Sequence, residues 1–284
     1  MHNILSFTLS FILLITLSTC SNQASTSAGK YNLVPDENKG NNAQYEQKWT
    51  AGKLPGTVDL RTIEGAFPPA FNQGNINSCT ANAVSAAIYF DMIKQDASHP
   101  FVPSRLFIYY EERVLNNTLN EEKYGVIGAT VSMKNCIDAV HNKGYCSEKT
   151  WPYETTKLYT KPSPLAYDSA EYHHTYQYQW LKTDLEHLKD CLANGYPFVF
   201  GISIYESFES ATTKSSGIVS MPAATEKKLG GHALLAVGYD DEKQQFIFRN
   251  SYGGNWGDGG YGFMPYAFMQ QYGFSFWEIK KVKG

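Results

Sequence analysis

The stretch NQGNINSCTANAVSAAIYFDMIK, residues 72–94, joins a polar loop to a run that is apolar on nearly every face. From Cys79 to Lys94 the side chains pass from small to large, the pattern of a helix buried on all sides at the centre of a domain. A polar loop and then Cys79 at the head of such a helix calls for a reason, since a small apolar residue would pack there with less risk. The first turn lies in the positive end of the helix macrodipole, which favours thiolate over thiol. A buried thiol at a helix start is nonetheless an ordinary packing residue. To act as a nucleophile it needs a base, a group that orients the base, and donors for a developing oxyanion.

Further helices follow this one. PSRLFIYYEERVL (103–115) predicts a helix with Ser104 as its N-cap, and VSMKNCIDAVHNKG (131–144) another, closed by Gly144. TDLEHLKDCLANG (183–195) lines up Leu185, Leu188 and Leu192, with Thr183 and Glu186 as a capping box. After that the period changes to that of strands: YPFVFGISIY (196–205), HALLAVGYD (232–240), QFIFRNS (245–251) and FSFWEIKK (274–281). The expected fold class is therefore α+β, in two unlike lobes, and a cleft between lobes is a preferred ligand site.

The chain has 284 residues, 43% apolar and 18% charged, and a net charge of -3. Without a basic run, nucleic acid is not expected as a partner. Residues 4–18, ILSFTLSFILLITLS, are apolar, uncharged and too short to span a bilayer, the shape of a signal-peptide core over residues 1–20. Export to the periplasm or the outside is expected, with lipid anchoring at Cys20 as the less favoured alternative. Residues 21–54 are too polar to fold alone and read as a propeptide or a linker. Beyond the leader, Cys136 and Cys146 could pair or stay free, and Cys191 sits in a helical pattern where a buried thiol is ordinary.

Several candidate motifs carry no chemistry. GDGGYG (257–262) matches a dinucleotide fingerprint formally but has no βαβ unit behind it. His173 and His174 have no Cys or acidic residue at metal spacing, so neither a metal nor a cofactor is expected. The sequon at Asn116 matters only in a glycosylating host. What remains around Cys79 is coherent. His232 opens a strand after Gly230 and Gly231, Asn250 ends the next strand, and Gln73 precedes the cysteine. Ends of adjacent antiparallel strands can meet, so the Asn250 side-chain oxygen can accept from the His232 ring. Gln73 could turn its amide toward an oxyanion beside the Cys79 N–H.

These residues, in the order Gln, Cys, His, Asn, resemble the papain family of cysteine peptidases. LPGTVDLR (54–61) resembles that family's mature amino terminus, NQGNINSCTANA its nucleophile loop, and GYCSEKTWPYE (144–154) the close of its helical lobe. GGHALLAVGYDD (230–241) and RNSYGGNWGDGGYGFMPY (249–266) resemble its His and Asn strands. SCTANA, PSRLFIYYEER and NGYPFVFGISIYESF look closest to a bacterial, xylellain-like branch. The resemblance covers residues 55–284 and implies a papain-like two-lobed fold. Its helical lobe would span about 60–170 and its antiparallel, barrel-like lobe about 171–284. It implies Cys79 as nucleophile, His232 as acid and base, Asn250 as orienter of the ring and Gln73 as oxyanion donor. Gly128 and Ala129, with Gly231 and Tyr252, would contact substrate.

The implied activity is hydrolysis of protein or peptide substrates by an endopeptidase through an acyl-enzyme. The N-terminal segment would act as an inhibitor of a zymogen. An exopeptidase, or an inactive binding module on the same fold, is the alternative. Three departures stand out. Thr80 replaces the family's usual Trp. Tyr252 replaces the Trp that shields the His–Asn bond, which predicts a wetter bond. The family's disulfide cysteines beside the nucleophile loop are missing, which implies free thiols at Cys136 and Cys146.

Overall fold

The computed structural model describes residues 31–49, 53–119 and 130–282. Its elements begin with β1 (Leu33–Val34), β2 (Thr57–Asp59), α1 (Cys79–Lys94), α2 (Arg105–Leu115), β3 (Val131–Ser132) and α3 (Met133–Lys143). They continue with α4 (Pro164–Ala170), β4 (Thr175–Trp180), α5 (Leu185–Ala193), β5 (Phe198–Tyr205), α6 (Ala211–Ser216) and β6 (Lys228–Asp240). The chain closes with β7 (Gln245–Arg249), β8 (Tyr261–Pro265), α7 (Tyr266–Tyr272) and β9 (Gly273–Val282). Apart from β2, the main sheet follows α1–α4, and α5, α6 and α7 lie between its strands, the expected α+β arrangement.

The helix α1 occupies the expected residues, and Val84, Ile88, Phe90 and Met92 on it are buried. Full burial of such side chains stabilises a fold by about 1.5–3 kcal/mol each. It packs against α2 and α3 and also against β5, β6 and β9, so it is the element shared by both halves of the core. Ser104 caps α2 by accepting from the Phe107 N–H at 3.1 Å. Gly144 ends α3 with φ at 70°, where a Cβ would stand 2.0 Å from the Ala170 carbonyl oxygen. The cap of α5 lies one residue later than expected: the Asp184 carboxylate accepts from His187 N–H at 2.9 Å. Aspartate caps as well as threonine and is charged besides, so it takes the helix dipole in place of Thr183.

Among the described residues the main sheet has seven strands, with β4, β9, β5, β6, β7 and β8 in that order and β2 also paired to β6. All of these pairings are antiparallel. Around β5, aromatic rings fill part of the core: Phe198 meets Phe200, Phe246 and Phe276, and Phe200 meets Phe276, at centroid separations of 5.7–6.3 Å. Such edge and offset contacts add about 0.5–1.5 kcal/mol each beyond the area they bury.

The part of the polar N-terminal stretch that is described, residues 31–49, packs on the domain. Tyr31, Leu33 and Tyr45 are buried. The strand β1 pairs in parallel with β3, Leu33 opposite Val131, and Asn32 bridges to Gly231 on β6. This short strand therefore runs between the helical lobe and the sheet. The segment that cannot fold alone is ordered by surfaces that other elements provide.

Candidate active site

Cys79 begins α1, His232 lies near the start of β6, and Asn250 follows the end of β7. The hairpin of β6 and β7, closed between Asp240 and Gln245, brings the last two together. His232 Nε2–H donates to Asn250 Oδ1 at 2.9 Å. The Ser251 N–H donates to the same oxygen at 2.8 Å, which fixes the amide orientation and hence the imidazole tautomer. The second ring nitrogen is then the basic one. Cys79 Sγ lies within hydrogen-bond reach of the Ala233 N–H, so the thiol rests against the peptide that follows His232.

The loop carrying Gln73 is stitched to the segment after β7. Gln73 N–H donates to Ser251 O at 2.9 Å, and Gly253 N–H donates to Phe71 O at 2.8 Å. Ser251 Oγ–H donates to Gln73 Oε1 at 2.5 Å, while Gln73 Nε2 donates to Ile76 O at 2.8 Å. A primary amide has a second N–H, and these partners hold its plane fixed. Tyr153 supports both ends of the loop, donating to Gln73 O at 2.9 Å and meeting Ser78 Oγ at 2.5 Å.

The His232–Asn250 bond is buried, contrary to the wetter bond that the missing Trp predicts. The Tyr252 ring lies over His232 at 5.0 Å and 33°, and Phe208 closes another edge at 6.3 Å. The Tyr31 ring completes the enclosure at 6.1 Å, and Tyr252 Oη–H donates to Tyr31 Oη at 3.2 Å. Tyr31 in turn donates to Glu209. Tyrosine thus does the shielding with the help of the N-terminal segment.

That segment occupies the cleft between the two walls. Val131 N–H donates to Asn32 O at 3.3 Å from one side, and Gly231 N–H to Tyr31 O at 3.1 Å from the other. A Cβ on Gly231 would stand 2.1 Å from Leu33 O, so glycine is what allows the close approach. Gly128 and Ala129 lie outside the described residues. Cys79 is consequently 2% exposed, and burial pushes its thiol up to about 12, with the charge of Glu112 adding to the rise. Helix-end and backbone N–H groups act in the other direction and lose. The macrodipole argument therefore fails for this covered state, because desolvation outweighs it.

Thr80, the departure beside Cys79, serves a carboxyl that sequence patterning does not reveal. Its hydroxyl donates to Glu112 Oε2 at 2.7 Å, and Glu112 is fully buried. Burial raises that carboxyl from 4.5 to about 8, opposed by Thr80 and the neighbouring Arg113. The folded state keeps a proton that the unfolded chain releases, so stability falls as pH rises from 4.5 to about 8, and the loss is complete above that. Glu112→Gln is expected to flatten this dependence, raising Tm by about 2–4 °C or more at pH 8 while changing little at pH 4. Thermal melts across pH check it, and parallel curves for both proteins would refute it.

The remaining sequence candidates lie outside the grouping of Cys79, His232 and Asn250, with Cys136 beside Thr80 and Glu112. Cys136, Cys146 and Cys191 are free and buried. His173 Nδ1 meets Ser169 O at 2.9 Å, and its ring packs on Phe101 and Tyr145. His174 meets the carbonyls of His141 and Glu171. Among the described residues no His, Cys, Asp and Glu cluster could hold a metal ion.

Residues 54–275 match the family model described as papain family cysteine protease. An uncharacterized peptidase C1-like protein of Acanthamoeba polyphaga mimivirus is 38% identical over 81% of this chain and 76% of its own length. A cathepsin L-like peptidase of Aedes aegypti is 28% identical over 74% of the chain, which spans 58% of that relative. Among solved structures, xylellain, a cysteine protease from Xylella fastidiosa, superposes with a TM-score of 0.81 at 36% identity. It covers 89% of this chain and 96% of its own. With the family model matching most of its length, the chain belongs to the papain family of cysteine proteases.

Proposed function

We propose that the protein is an exported cysteine endopeptidase, made as a zymogen whose cleft is closed by residues 31–34. The observation that carries this reading is the hydrogen-bonded His232–Asn250 pair, with the Cys79 thiol against the following peptide and a strand of the chain itself across them. Once the strand leaves, water reaches Cys79, and the imidazolium of His232 can stabilise a thiolate. Such settings bring cysteine pKa values to ~3.5–7.5.

In this mechanism the thiolate attacks the substrate carbonyl. Gln73 Nε2–H and the Cys79 N–H receive the oxyanion, a role worth roughly 3–4 kcal/mol per donor. His232 passes its proton to the leaving amine, the acyl-enzyme forms, and water deprotonated by His232 releases the acid. Asn250 holds the ring throughout. The N–H groups of Val131 and Gly231, which now bind residues 31 and 32, are well placed to hold a substrate backbone. Gly128 and Ala129 would extend the first wall, with Tyr252 roofing the His232 ring.

Endopeptidase action is favoured because the cleft already accepts an internal stretch of polypeptide, with chain continuing on both sides of residues 31–34. A histidine pair would suit an exopeptidase, but His173 is engaged with Ser169, and His174 with His141 and Glu171. Digesting a peptide library with the activated protein and mapping products by mass spectrometry tests this. Internal cuts are expected; release of dipeptides alone would overturn the endopeptidase reading.

A further inference from the structure

Residues 31–49 are attached to the domain at separate places, and the attachments differ in kind. Residues 31–34 cover Cys79, His232 and Gly231, which a working peptidase must expose. Residues 43–49 cover none of these. The Tyr45 N–H donates to Trp180 O at 2.9 Å, and the Trp180 N–H returns to Ala43 O at 3.1 Å. Tyr45 is fully buried, and its carbonyl meets His187 Nε2 at 2.9 Å. Its hydroxyl donates to Asp190 Oδ1 at 2.7 Å. The N–H groups of Lys48 and Trp49 donate to the same carboxylate at 3.1 and 2.8 Å.

Asp190 is itself fully buried. Among the described residues, apart from Asn194 Nδ2 at 2.9 Å, the donors to its carboxylate all come from this segment. Removing residues 44–49 would leave a buried carboxylate almost unanswered and empty the space of a whole tyrosine ring, both strongly destabilising changes. Between the two attachments, Asp36 holds Lys134 N–H at 2.9 Å and Trp277 Nε1–H at 2.8 Å. After it comes a surface loop, 37–43, in which Glu37, Asn38, Gly40, Asn41 and Ala43 are exposed. From Asn38 to Asn42 its hydrogen bonds are local, Gly40 N–H to Asn38 Oδ1 and Asn42 N–H to Lys39 O, and Lys39 rests over Trp180 and Trp277. Exposed loop tips of this kind are preferred sites of proteolytic nicking.

We propose that the chain matures by hydrolysis of a peptide bond within residues 37–43, and that residues 44–49 remain on the mature enzyme as a permanent part of its sheet-side core. The cut is made by a second copy of the enzyme and adds one water across the bond, freeing the strand that closes the cleft. The proposal rests on the zymogen reading. It departs from the family resemblance, which would put the new amino terminus near Leu54.

The full-length Cys79→Ala protein cannot cut itself and serves as substrate for the wild-type enzyme; intact mass and N-terminal sequencing read the product. A product beginning between residues 38 and 43 supports the proposal. A product beginning at 50–55 overturns it and leaves the zymogen reading standing. A wild-type chain that is fully active while uncut overturns the zymogen reading itself. As a second measurement, Tyr45→Phe and Asp190→Asn are expected to lower Tm by about 2–8 °C in both the precursor and the processed enzyme. Lowering confined to the precursor would also overturn the proposal.

Discussion

Replacing Cys79 with alanine is expected to lower kcat/KM for peptide hydrolysis by roughly 10⁴–10⁶, with labelling by an epoxide or vinyl-sulfone peptide abolished. His232→Ala should cost a comparable factor, because the thiolate and the protonated leaving group both depend on the ring. Asn250→Ala should cost less, since it removes the group that fixes the ring through the 2.9 Å bond while leaving the thiol and base in place. Melting temperature should hardly move in Cys79→Ala, where one sulfur is lost from a covered site. Steady-state kinetics on the processed proteins, with probe labelling, check the series. Undiminished labelling of Cys79→Ala would exclude the proposed nucleophile, and a processed wild-type protein that neither hydrolyses peptides nor takes the probe would favour the binding-module alternative.

The second large effect concerns the strand across the cleft. In the full chain burial pushes the Cys79 thiol up to about 12, so at pH 7 almost none of it is thiolate. Clearing residues 31–34, either as a chain beginning at Asp36 or as the pair Tyr31→Ala and Leu33→Ala, rehydrates the thiol and exposes it to the His232 ring. Because alkylation proceeds through the thiolate, the rate with iodoacetamide at pH 7 should rise by about 10³-fold or more. The sign is fixed by the direction of the shift. Alkylation of the covered chain climbs only toward strongly alkaline pH, whereas the opened one levels off near or below neutrality. Equal rates and equal pH profiles would dismiss the strand as an inhibitor.

Much of this molecule is readable from local pattern. The run from Cys79 to Lys94 could only be a buried helix, and Ser104 and Gly144 bound their helices by chemistry confined to a few positions. The order Gln, Cys, His, Asn picked out residues that the fold brings close, with Cys79 at the head of α1 and Asn250 just past β7. What stayed hidden depends on contacts between distant parts of the chain. Tyr45 stands in a polar stretch whose average composition says nothing of Asp190, 145 residues away. Glu112 reads as one of two acidic residues on a helix, and only packing shows that Thr80 answers it. The cost of burying Cys79 likewise depended on Tyr31 and Leu33, whose pairing with β3 and β6 joins three separate segments.

The ladder that ties Gln73 to Ser251 and Phe71 to Gly253 has a consequence for how this scaffold tolerates change. The groups proposed to receive the oxyanion and to orient the imidazole belong to one small rigid unit, although they are 177 residues apart in sequence. Widening or narrowing of the cleft, by substitutions in the walls or by thermal breathing, moves the substrate relative to this unit without pulling its members apart. Specificity can therefore drift through wall residues while the reaction geometry is conserved mechanically, and damage at Ser251 would be felt at both ends of the chemistry at once.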